Sequence, residues 1–206
     1  MATTATPYGL KAVNHIGGTP YAGSTRLLPI ASGFGTNIFN GSIVKIAAAG
    51  TIEVVTVTGN GGGGAAASFP AGTIGVFVGC TYTDPSLGTV VFRQSFPTGT
   101  VADDIQAYVI DDPDVVFQAQ ADGAVTQADL GQNTHLAAAQ STTTGDTTNG
   151  NSNSAVTATT ATTNTFAFRI VDFVDSPTST VGDAFTDLLL KFNAGIHSYD
   201  RGLGTA

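Results

Sequence analysis

The stretch GSIVKIAAAGTIEVVTVTGNGGGG, residues 41–64, decides how the chain is read. Its apolar residues come in short runs rich in β-branched Val, Ile and Thr, and glycines break the runs. Val55 and Val57 alternate with threonines, the period of a strand with one face buried, so the stretch reads as two or three short strands. The same reading extends outward. GTIGVFVGCTYTDP (72–85) and GTVVFRQSFP (88–97) are apolar runs that stop at an Asp-Pro or a Pro. IQAYVI (105–110), DVVFQAQ (114–120), TFAFRIVDFV (165–174) and AFTDLLLKFN (184–193) complete a set of about eight to ten strands. The fold expected is therefore mainly β, an antiparallel sandwich or barrel of jelly-roll-like type. Only GAVTQADLGQNTHLAAAQ (123–140) has helical propensity, and Gly131 and Asn133 interrupt it, so at most one short helix or a loop is expected there.

Composition narrows the function. The 206 residues are 42% hydrophobic, enough for a core, yet only 11% are charged and the net charge is -8. No lysine or arginine lies between Lys45 and Arg93 or between Arg93 and Arg169. A phosphate backbone needs clustered cations, so nucleic acid is discounted as a partner, and so is an anionic membrane surface. No run approaches the roughly 18 apolar residues of a membrane span. The single cysteine, Cys80, cannot form an internal disulfide, and the N-terminal residues show no charged start followed by an apolar run. Synthesis and folding in a cytoplasm are expected.

Two segments depart from the strand pattern. STTTGDTTNGNSNSAVTATTATTNT, residues 141–165, carries Asp146 as its one charged residue. Thr suits a pleated surface better than it suits a linker, so a polar β-structured face is expected from Ala155 onward, with an exposed loop or hairpin at Asn149-Gly150. Residues 1–40 have three prolines and no clear periodicity, yet carry Tyr8, Leu10, Ile16, Tyr21, Leu27, Leu28 and Ile30. They read as an extended N-terminal arm packed on its own domain or on a neighbour. Residues 41–206 form the β-rich domain, with a division into two small β subdomains near 111–118 left open.

Chemistry-bearing patterns are sparse. GNGGGGAAA (59–67) lacks the Lys-Ser/Thr that a phosphate-cradling loop needs. Asp103-Asp104 and Asp111-Asp112-Pro113-Asp114 could offer carboxylate oxygens to a hard cation, but without the spacing of a calcium loop they read as turn chemistry. His15, His135 and His197 show no two-histidine metal spacing, and no nucleophile elbow occurs. Cys80, within a strand-like run, reads as a buried inert thiol. No catalytic set, cofactor site or metal site is expected, which leaves a structural or binding role.

Three stretches carry a resemblance: GGTPYAGSTRLLPIASGFGTNIFNGSIVKI (17–46), FVGCTYTDPSLGTVVFRQSFPTGTVADDIQAYVIDDPDVVFQAQADG (77–123) and RIVDFVDSPTSTVGDAFTDLLLKFNAGIHSY (169–199). Together they resemble virion structural proteins of tailed marine bacteriophages, and more narrowly the capsid decoration or cement proteins. The resemblance implies a β-rich protein on the outer surface of the virion capsid, made in the host cytoplasm. It also implies contact with the major capsid protein and self-association, as dimer or trimer, around a lattice symmetry axis. On that reading the expected role is to stabilise the head by bridging capsid subunits, and Tyr8, Tyr21, Arg26 and Leu28 are the expected capsid or subunit contacts. A tail or neck component and a host-glycan binding module are the alternatives.

Overall fold

Which strands the chain pairs with which follows from where its apolar runs fall. In the computed structural model, which describes residues 4–56, 70–163 and 165–201, the strands are β1 (Lys11–His15), β2 (Arg26–Pro29), β3 (Ile43–Ile46), β4 (Ile52–Val54), β5 (Thr73–Thr83), β6 (Val90–Arg93), β7 (Gln106–Ile110), β8 (Val115–Gln120), β9 (Asn133–Thr134), β10 (Phe168–Phe173) and β11 (Asp187–Phe192). They form two antiparallel sheets. Sheet A has the order β1-β8-β11-β10-β9, and sheet B the order β2-β7-β5-β3-β4, with β6 paired to the second half of β5. The molecule is a β-sandwich with almost no helix among the described residues: one 3-10 turn at Gln127–Asp129 and one helical turn, α1 (Ser198–Arg201).

The sandwich core lies between the sheets. Val76 and Ile110 of sheet B, with Ile43, meet Phe117, Ala119, Phe168, Ile170, Leu188 and Leu190 of sheet A. Sheet B has a second core on its other face, where Val44, Phe77, Cys80, Tyr82, Ala107 and Val109 pack under Ile30, Ile38, Phe96 and Ile105. The two covering segments are joined by a bridge in which Ile38 and Phe96 exchange N–H···O bonds of 3.1 and 2.7 Å. Covered on both sides over its first half, β5 is buried on both faces there, which is why its sequence opens as a nearly unbroken apolar run. Fully buried phenylalanines occur in both cores, and each contributes about 1.5–3 kcal/mol relative to exposure.

The first forty residues contribute a strand to each sheet. β1 pairs with β8 at the edge of sheet A, and β2 pairs with β7 at the edge of sheet B. The arm therefore lies on its own domain: Leu10 and Ile30 are buried in the cores beside those edges, with Tyr21 and Leu28 packed against them, whereas Ile16 and Leu27 stay exposed. The chain passes between the sheets twice, after β1 and at residues 111–114, so the division near 111–118 is the crossover from β7 of sheet B to β8 of sheet A.

The described residues of the Thr-rich segment form no regular strand. Residues 155–163 make single bridges, Val156 to Ala121 and Leu136, and Ala161 to Asn133. The β-structured face expected from Ala155 onward thus consists of isolated bridges over 155–163, with a regular strand only from Phe168, for a physical reason: hydroxyls compete for backbone groups. Thr157 Oγ1 accepts the Thr159 N–H at 3.1 Å, and Thr134 donates its hydroxyl to Thr157 O at 2.6 Å. The Asn149-Gly150 turn does form, with Gly150 at φ 77 donating to Asp146 O at 2.7 Å and Gly145 bridging Ser152. The glycine-rich run 59–67, read as a loop, lies outside the described residues.

Candidate binding surface on the overhang of sheet B

Register decides which way each side chain of sheet B points. Opposed residues of an antiparallel pair share a face, and side chains alternate along a regular strand. In β7, Ala107 and Val109 turn to the loop-covered side and Ile110 turns to sheet A. Tyr108, two residues before Ile110, therefore points to the sheet A side. It is opposed by Leu27 of β2 and by Gly79 of β5. The next row on that face is Pro29, Gln106, Thr81 and Phe92, and beyond it Val90 opposes Thr83.

Sheet A stops short of these rows. Leu27 is 53% exposed, Phe92 63% and Val90 70%. Among the described residues, one end of the face that elsewhere forms the sandwich core thus overhangs into solvent. Its centre bears no charged side chain. At the rim, Asp104 accepts the Thr83 hydroxyl at 2.6 Å and the Thr83 N–H at 3.0 Å, which holds its carboxyl below the usual range. Phe92 is seated by Gly79: a Cβ there would stand 2.7 Å from the ring. The ring also meets Tyr108 at a centroid distance of 5.9 Å. The overhang is therefore a pre-positioned apolar surface rather than a set of loose side chains.

The four residues singled out from sequence do not share this surface. Tyr8 donates to Asp187 Oδ1 at 3.1 Å on sheet A, and Lys11 Nζ sits 4.3 Å from its ring centroid. Burial, with the Asp187 charge beside it, pushes the Tyr8 phenol up. The Tyr21 hydroxyl donates to Ser24 O, and its ring stands 6.0 Å from His15. Arg26 Nε pairs with Asp111 Oδ2 at 2.8 Å, its guanidinium 5.4 Å from the Tyr199 ring centre. Leu28 packs inward on the second core of sheet B, whereas Leu27, its neighbour, points out. A signal for the overhang was present in the sequence: Val90, Val91 and Phe92 are apolar at successive positions, the pattern of a strand covered on both faces, and the described residues cover only one.

The acidic run at the crossover has partners of its own. Asp111 pairs with Arg26, Asp112 Oδ2 with His15 Nε2 at 3.3 Å, and Asp114 with Lys191 at 2.8 Å. Lys191 holds the Asp114 carboxyl below its usual range. Tyr199 of α1 donates to Asp111 Oδ2 at 2.7 Å, and burial together with that bond pushes its phenol up to about 12. These contacts clamp the crossover from β1, β2, β11 and α1. Among the described residues, no group of three or more His, Cys, Asp or Glu is placed to hold a metal ion. His135 is buried edge-on against Phe166, and burial pulls the pKa of His197 down. Cys80 is fully buried and its thiol is pushed up to about 12. No helix among the described residues is long and apolar enough to cross a membrane.

Fold and surface together define a β-sandwich with an apolar sheet face that the described residues leave uncovered. No protein-family model, curated protein or solved structure matches the chain.

Proposed function

We propose that this protein is a structural component of a bacteriophage virion that docks on the outer surface of the capsid and stabilises the head by bridging subunits of the major capsid protein. The observation that carries the reading is the overhang: Leu27, Val90, Phe92 and Tyr108 continue the sandwich core beyond the edge of sheet A, on a face whose centre is uncharged in a chain of net charge -8. Such a face is completed by an apolar partner surface, and burying a standard interface of about 1,600 Å² supports stable association. The resemblance of residues 17–46, 77–123 and 169–199 to capsid decoration proteins supplies the partner, the major capsid protein. The acidic balance suits the outside of a shell packed with DNA. Repetition over a lattice, with copies self-associating around a symmetry axis, multiplies modest contacts by avidity.

Quantitative mass spectrometry of purified virions tests the location. A copy number equal to that of the major capsid protein, or a simple fraction of it, is expected. A handful of copies per particle would replace the reading with a tail or neck role, and absence would end it. Co-sedimentation with capsids lacking the protein tests the surface: Leu27→Asp and Phe92→Asp each abolish retention, and particles without the protein fail sooner under heat and osmotic shock. If Phe92→Asp breaks self-association but leaves capsid retention intact, the overhang belongs to a second copy of this chain.

A further inference from the structure

The outer face of sheet A holds an arrangement that a sheet by itself disfavours. Arg169 of β10 and Lys191 of β11 are directly opposed in register and share a face. Like charges so placed repel, and here two of only seven lysines and arginines in the chain are spent side by side. They line one cleft of about 440 Å³, whose other walls include Ile16, which is 50% exposed, Val171 and Ala194. Lys191 already grips one carboxylate, Asp114, at 2.8 Å. The guanidinium of Arg169 has, among the described residues, only the 3.4 Å contact of its Nε with Asn133 Oδ1.

We infer that this cleft is a binding site for an acidic, aliphatic polypeptide segment, in which Arg169 and Lys191 hold a carboxylate between them while Ile16, Val171 and Ala194 take the neighbouring aliphatic side chain. The guanidinium supplies the planar pair of donors that a carboxylate accepts, and the ammonium a point charge beside it. Apolar walls next to the cations suit a peptide. A sugar acid would want an exposed aromatic platform, and Phe192, the ring in the lining, is buried at 3% exposure. Two cations on a molecule of net charge -8 are too few to hold a phosphate backbone. Asp114 is an internal competitor: it occupies Lys191 until a ligand carboxylate displaces it. The site lies on the other sheet from the overhang and does not depend on the function proposed for that face.

The test is a titration of the full, isotope-labelled protein followed by NMR at low ionic strength. The probe is a short capped peptide alternating glutamate and leucine. Controls are its glutamine counterpart, a galacturonate oligomer and inorganic phosphate. The glutamate peptide is expected to shift Ile16, Arg169, Val171, Lys191 and Ala194 together, and the glutamine peptide to leave them in place. Arg169→Gln and Lys191→Gln should each weaken binding roughly tenfold. Asp114→Asn, which removes the competitor at an exposed position, should tighten it severalfold. The inference is overturned if these residues do not respond, if the glutamine peptide binds equally, or if both cation variants bind like the parent. Galacturonate or phosphate binding as tightly as the peptide would overturn the assignment to a polypeptide.

Discussion

A single glutamine shows how this fold treats polarity. Gln140 is fully buried, and its side chain stands in for a strand: Oε1 accepts the Ile43 N–H at 2.8 Å, and Nε2 donates to Ile43 O and Val55 O, each at 3.0 Å. Gln140→Ala leaves the Ile43 N–H and the Val55 carbonyl without those partners in a buried site. The expected cost is about 2–4 kcal/mol, read from the midpoint of a denaturant titration. His197 makes the pH prediction at this scale. Buried among Phe192 and Tyr199, it has a folded-state pKa below the unfolded value of about 6.5, because burial disfavours the charged ring. Between those two values the unfolded chain binds the extra proton. The contribution of His197 is thus complete above about pH 6.5 and is lost as pH falls below it. Thermal midpoints of the parent should drop across that window, and those of His197→Phe should drop less. If the two curves run parallel, His197 is not the group responsible.

At the scale of elements, the crossover 111–114 converts what reads as a run of turn acids into a clamp. Asp111→Asn removes a charge that faces both Arg26 and Tyr199. Spectrophotometric titration of the tyrosines should then show the Tyr199 phenol, pushed up to about 12 in the parent, ionising at lower pH. An unchanged titration curve would show that burial alone raises it. How far such elements were legible depended on where each one gets its stability. β5 in its first half and β8 at its start bury both faces, and the apolar runs Ile-Gly-Val-Phe-Val and Val-Val-Phe announced them. β1, Lys-Ala-Val-Asn-His, has no apolar run and becomes a strand only because β8 offers it an edge far along the chain. In the Thr-rich segment residue type suggested strand, but side-chain hydroxyls took up backbone groups locally, a competition that propensity does not register. The acids at 111–114 were visible as a cluster, whereas their partners arrive from four separate elements.

For the whole molecule, the mismatch between the two sheets is the feature with functional weight. Phe92→Asp changes an exposed position, so its effect on stability should stay within about 0.5 kcal/mol while capsid binding is lost. Loss of both together would mean that Phe92 serves the fold instead. The overhang was only half legible. Apolar residues on both faces of β6 signalled that both needed cover, but where sheet A ends is a tertiary fact that no local pattern states.

The placement of β1 also has a history in time. Sheet B is drawn entirely from residues 26–110, so its strands can pair while later parts of the chain are still being made. β1 emerges ahead of that sheet, yet its partner β8 emerges after it, and β8 finds its other neighbour, β11, only near residue 190. The earliest strand must wait for the latest sheet. Pairing over such separations is slow, and an unpaired edge is open to other chains while it waits. During biosynthesis, the interval before β1 docks leaves the edge of β8 open to pairing with another chain.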